Sequence, residues 1–198
     1  PVDPAGVLPT GPAPGTGGLG DSGLPGAGDL TKGGSTGAAG RVGAAKGQTT
    51  LFGIQGVGNK FLYVFDRSAS MEGYEGRPLL AAKTELIKSL EHLEATHQFQ
   101  IIFYNDRQNV FNPYLPQPPR MLFADDKHKD LAQRYVRSVT ADGGTRHLEA
   151  LRMALGLSPD VVFFLTDADE PQLTAAELAE VARRRGGAVI HAIEFGAG

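Results

Sequence analysis

The sequence predicts an α/β fold: a Rossmann-like, doubly wound, mainly parallel sheet with helices on both faces. Three observations predict it. Residues 61–65 (Phe-Leu-Tyr-Val-Phe) are a run apolar on both faces, which suits a strand at the centre of a helix-covered parallel sheet; 161–166 is a second apolar run, and Phe99, Ile101, Ile102 and Phe103 dominate a third at 98–104. The segments between them carry leucines at helical spacing. Two of the runs stop abruptly at an acid, Asp66 and Asp167, and open α/β sheets place their ligand sites at the carboxyl ends of their strands.

Residues 1–50 are a different material. They hold 15 of the 27 glycines and 6 of the 13 prolines, so they cannot bury enough surface to offset their ordering entropy. The reading is a disordered Gly/Pro-rich linker over 1–50 and a folded domain over 51–198. Gly20-Asp21-Ser22-Gly23 has the letters of a serine-protease nucleophile loop, but no His/Asp framework accompanies it, and the match is accidental. Residues 49–59 form a lead-in whose Leu51, Phe52, Ile54 and Val57 could pair as a short edge strand or pack on the sheet. Its glycines precede the first strand and no Gly-Lys-Ser/Thr follows, which argues against a phosphate loop.

Beyond the first strand, residues 72–77 read as a polar loop. Pro78 suits the first turn of a helix carrying Leu79, Leu86, Ile87, Leu90 and Leu93. His92 reads as a surface residue. After the strand 98–104, Asn105-Asp106 is a turn and residues 109–111 a short antiparallel return strand. Residues 113–119 are proline-rich, either a surface connection or a polyproline segment for a partner. Residues 126–140 are helical, with Leu131, Tyr135, Val136 and Val139 on one face. Gly143-Gly144-Thr145 then opens a helix carrying Leu148, Leu151 and Leu155. Thr174-Ala-Ala-Glu177 is a capping box whose helix ends in Arg183-Arg184-Arg185 and Gly186-Gly187, complementing the helix dipole and closing the helix without any anionic ligand. Residues 188–195 are the last strand, with His191 packed or at the edge.

Asp66, Ser68 and Ser70 form a D-x-S-x-S pattern at the end of the first strand. One carboxylate and two hydroxyls are hard oxygen donors, suited to Mg²⁺ or Mn²⁺ rather than zinc. The plain alternative is a turn and helix cap. Thr145 after two glycines and Asp167 after an apolar strand add two more oxygen-bearing loops, in an order that chance rarely supplies. Together these residues resemble the von Willebrand factor type A domain with a metal-ion-dependent adhesion site, over residues 60–198. The resemblance implies metal ligation by Asp66, Ser68, Ser70, Thr145 and Asp167. It also implies a protein partner whose Asp or Glu completes the coordination of Mg²⁺ or Mn²⁺. Ala69 and Ala168 stand where that family commonly has glycine. The family usually continues with a helix, a strand and a last helix that this chain lacks. His147 and Asp169 are candidates for a partner-binding rim. For His147 the alternative is an exposed helix residue, and for Asp169 and Glu170 it is simple solvation of the loop.

The composition narrows the function further. A net charge of −3 and a pI near 6.0 give no electrostatic pull toward nucleic acid. The absence of cysteine excludes disulfides, thiol catalysis and zinc–thiolate sites. No apolar run is long enough to insert in a membrane. The chain begins at Pro1, so an anchor or signal upstream would make the domain membrane-attached or extracytoplasmic. The function expected is metal-dependent protein binding in adhesion or scaffolding, without enzymatic turnover. Its alternatives are a metal-dependent hydrolase, for which no general base or phosphate-cradling loop is evident, and a purely structural domain of a larger assembly.

Overall fold

The structure is a computed structural model that describes residues 46–167 and 171–195. Its first elements form a β-hairpin, β1 (Gly47–Leu51) and β2 (Ile54–Gly58), paired antiparallel as a separate two-stranded sheet. Residues 1–45 of the expected linker lie outside the described residues. Gly47–Thr50, assigned to that linker from composition, belong instead to β1: Thr49 and Leu51 are buried against the domain.

The main sheet contains β3 (Lys60–Asp66), β4 (Gln98–Tyr104), β5 (Gln108–Val110), β6 (Leu122–Phe123), β7 (Val161–Thr166) and β8 (Val189–Glu194). Its order is β5-β4-β3-β7-β8, with β6 also pairing with β4. The strands β4, β3, β7 and β8 run parallel, while β5 and β6 are antiparallel returns. The three apolar runs are the three inner strands, as their composition requires.

Alternation along these strands builds two cores. Phe61, Tyr63, Phe65, Phe103, Phe163 and Leu165 face α1 (Gly73–Glu91) and α2 (Asp126–Ser138). Leu62, Val64, Ile102, Val162 and Phe164 face α3 (His147–Gly156) and α4 (Ala175–Arg184). The sheet is doubly wound. Each fully buried phenylalanine contributes about 1.5–3 kcal/mol of transfer free energy, so the aromatic α1/α2 face dominates the core.

Local chemistry places the helix ends. Asp125 caps α2 by accepting the His128 N–H, and Thr174 with Glu177 forms the predicted capping box of α4. The start of α1 differs from expectation, because helix begins at Gly73 rather than near Pro78. Glu75 and Gly76 have φ of 61° and 73°, which breaks the regular ladder and leaves Pro78 in the first regular turn after the break. The proline-rich loop is not a polyproline helix: Gln117 N–H donates to the Tyr114 carbonyl at 2.9 Å, a turn, and Tyr114 is held by His128 at 2.7 Å. It is a surface connection.

A polar latch fastens the hairpin. The Thr49 hydroxyl lies 2.8 Å from Ser89 Oγ on α1, and Ser89 Oγ lies 2.8 Å from the Tyr63 hydroxyl on β3. All three are buried, so each hydroxyl finds its partner in another. Behind the latch, a Cβ on Gly56 would stand 2.8 Å from Phe163 and from Val161, so β2 approaches β7 only because residue 56 has no side chain.

Candidate metal centre

Asp66 ends β3, and the parallel register sets it beside Tyr104. Its carboxylate is fully buried. Oδ1 accepts the Ser68 N–H at 2.7 Å, folding the next residues into an Asx turn. The turn leaves Ser68 Oγ and Ser70 Oγ 3.0 Å apart, one hydroxyl buried and the other exposed. On the neighbouring strand the Thr166 hydroxyl lies 3.5 Å from Asp66 Oδ2, and Asp167 follows it at the strand end.

The second loop meets the first through its backbone. Asp142 N–H donates to the Arg67 carbonyl at 2.9 Å, and Ala69 N–H donates to the Gly143 carbonyl at 3.0 Å. Thr145 lies two residues on, half-buried and outside α3, which starts at His147. The expectation that Thr145 opens the helix is therefore corrected. The helix-capping position is Arg146, with no side-chain cap, and among the described residues the Thr145 hydroxyl is not engaged as a cap. Gly143 has φ of +74°, and a Cβ there would meet Asp106 Oδ1 at 2.6 Å and Asn105 Nδ2 at 2.8 Å, so it is glycine because the loop presses on the end of β4.

His147 is not the exposed helix residue of the alternative reading, and it lines the cleft beside Thr145. It is buried, with Nδ1 2.9 Å from the Tyr104 hydroxyl and its ring edge-on to Phe164. It also meets the backbone of Pro171, which offers only a carbonyl. A neutral imidazole satisfies both contacts, donating to that carbonyl and accepting the Tyr104 hydroxyl at Nδ1. Burial lowers its pKa, against the opposing pull of Asp66 and Asp167. Asp169 and Glu170 lie outside the described residues.

The electrostatics centre on Asp66. Burial holds its carboxyl above the usual carboxylate range, and Asp167 pushes the same way, against the stabilising bonds from Ser68 and the pull of His147. No lysine or arginine pairs with Asp66 among the described residues. Arg67 turns away to pair with Asp142. Among the described residues no three His, Cys, Asp or Glu side chains converge, so the donors here are two carboxylates supplemented by hydroxyls. Such a set fits a hard divalent cation with open positions and does not fit a closed zinc site. A cleft of about 300 Å³ opens beside Thr145, between the start of α3 and residues 171–177.

Sequence reasoning placed His147 at a partner-binding rim or on an exposed helix face, and it gave no role to Tyr104 or to the Arg67–Asp142–Asn105 cluster. The signal for Tyr104 is its position directly opposite Asp66 in the register of β3 and β4.

No family model matches the chain, and no curated protein matches it significantly. Solved structures do match. A von Willebrand factor type A protein from Catenulispora acidiphila superposes with a TM-score of 0.58 at 23% identity, covering 73% of this chain and 35% of that one. The chain has the von Willebrand factor type A fold. BatB from Bacteroides thetaiotaomicron shares the fold with a TM-score of 0.54 at 16% identity, covering 69% of this chain and 66% of that one. Proximal thread matrix protein 1 of the mussel byssus, solved with a zinc-occupied MIDAS motif, superposes with a TM-score of 0.50 at 23% identity over 70% of this chain and 35% of its own. The chain thus spans about a third of the length of the Catenulispora and mussel proteins. Among the described residues of this type A fold, no helix is long and apolar enough to cross a membrane.

Proposed function

We propose that the loop end of the sheet binds a divalent cation, Mg²⁺ or Mn²⁺, through Asp66, Ser68, Ser70, Thr145 and Asp167, and captures an acidic residue of a protein partner. The observation that carries this reading is Asp66: a fully buried carboxylate, set near a second one, with no lysine or arginine among the described residues to answer its charge. Burying such a charge is costly unless a cation compensates it. The metal would supply that compensation and a binding position for a carboxylate from outside. The chain's own residues orient the donors: the Asx turn presents the two serines, and the two backbone bonds bring the second loop alongside. The cleft beside Thr145 leaves room for a partner side chain next to the captured acid. The zinc-occupied motif of the mussel protein lends support by fold alone. The activity is binding, in adhesion or scaffolding.

Calorimetric titration of the full chain with Mg²⁺ and Mn²⁺ tests the site. The wild type should bind one ion. Ser68→Ala and Ser70→Ala should each weaken binding, because each removes one neutral donor from a site poor in carboxylates. Unchanged affinity in both variants would sink the assignment. Retention of an Asp-containing peptide library that is lost in EDTA would support capture of an acid, and retention indifferent to EDTA would refute it.

A further inference from the structure

We propose that Arg67, Asp142 and Asn105 form a clamp that positions Thr145 for the metal, and that this positioning outweighs the repulsion between the Arg67 guanidinium and a bound cation. The inference rests on the metal reading above.

The geometry is specific. Asp142 is exposed but held at three groups: its N–H donates to the Arg67 carbonyl at 2.9 Å, its own carbonyl accepts Asn105 Nδ2 at 2.7 Å, and its Oδ1 accepts both Asn105 Nδ2 at 2.8 Å and the Arg67 guanidinium. Arg67 also donates to the Thr140 carbonyl at 3.0 Å. Asn105 is buried and its Oδ1 is held by Arg107 N–H at 2.8 Å, so its amide cannot swing away. The Asn105 carbonyl accepts Arg146 N–H at 2.9 Å. Gly143 is pinned to Ala69 and Arg146 to Asn105, which leaves only Gly144 and Thr145 between fixed points. No capping side chain holds the start of α3, so the clamp does the work a cap would otherwise do.

Charge alone makes the opposite prediction. Arg67 adjoins Asp66, and removing a positive charge near a cation site should tighten metal binding. The structure weakens that expectation, because the guanidinium is neutralised by Asp142 and faces away from Asp66. Arg67→Lys separates the two effects. It keeps the charge but loses the planar fork that reaches Thr140 and Asp142 together.

Mn²⁺ titration of the full chain is the test, in a wild-type and a Thr145→Ala background. If the clamp loosens until Thr145 is in place about a tenth of the time, affinity falls about tenfold. Arg67→Lys and Asn105→Ala should each show that loss in the wild-type background and almost none once Thr145 is alanine. Equal losses in both backgrounds, or tighter binding in Arg67→Met, would overturn the proposal. Amide exchange without metal reads the clamp independently: residues 143–146 should exchange faster in Asn105→Ala, while β3 stays protected and so reports an intact fold. Unchanged exchange at 143–146 overturns the clamp. A wild type that binds neither ion overturns the metal reading, and the exchange result then decides the clamp alone.

Discussion

Asp160 and Asp66 stand at opposite ends of the same parallel sheet and are answered in opposite ways. Asp160 precedes β7 and is exposed; its Oδ2 accepts Asn59 N–H at 2.7 Å and Lys60 N–H at 3.1 Å, tying the start of β3 to its neighbour. Asp66 is fully buried, takes one backbone N–H, and lies within electrostatic reach of Asp167. The first carboxylate is spent on the fold. The second is buried beside a like charge, a cost that the proposed cation would offset.

The comparison breaks most sharply at Asp66. Asp66→Asn should take Mg²⁺ and Mn²⁺ binding out of calorimetric range. In EDTA the same variant should be more stable than the wild type at neutral pH. The sign follows from the raised pKa: the metal-free folded state holds this proton more tightly than the unfolded one does. The stability Asp66 contributes is therefore complete below the unfolded carboxylate value of about 4 and is lost as pH rises through the raised value. Thermal melts in EDTA across that window should fall more steeply for the wild type than for Asp66→Asn. Parallel curves would mean that burial does not burden the Asp66 carboxylate.

Asp160→Ala should do the reverse, costing about 1–2 kcal/mol in urea unfolding through two lost backbone hydrogen bonds while leaving metal affinity unchanged. A change in affinity would show that the two ends of the sheet are coupled. The smallest effect is expected from deleting residues 1–45, which should leave the melting temperature almost unmoved. Deletion through Thr50 should lower it, because it removes Gly47–Thr50 of β1 with the buried Thr49.

The inner strands were legible because burial on both faces leaves a continuous apolar run, and the ends of β3 and β7 because an acid interrupts that run. The capping box of α4 was legible because its chemistry is local. The start of β1 was not: Gly47-Gln48-Thr49-Thr50 continues the composition of the tail, and only pairing with β2 and contact with Ser89 make it a strand. The break near Glu75 depends on two residues at positive φ, which a polar stretch does not announce. The burial of His147 depends on Tyr104, 43 residues away, and the clamp on Arg67 and Asp142, 75 residues apart. D-x-S-x-S announces the proposed donors, while the residues that hold their loops in place are scattered along the chain.

The missing side chain of Gly56 also bears on the order of events in folding. The hairpin can close its own turn early, since its strands are adjacent in sequence. Its seat on β7, however, is made of Val161 and Phe163, more than a hundred residues downstream. Long loops must be closed before such a contact can form. The hairpin can therefore complete its seat only after β7 has joined β3, and it can lift without breaking a strand pair of the main sheet. A protease cutting near Gly53 would sample that lifted state long before the central strands come apart.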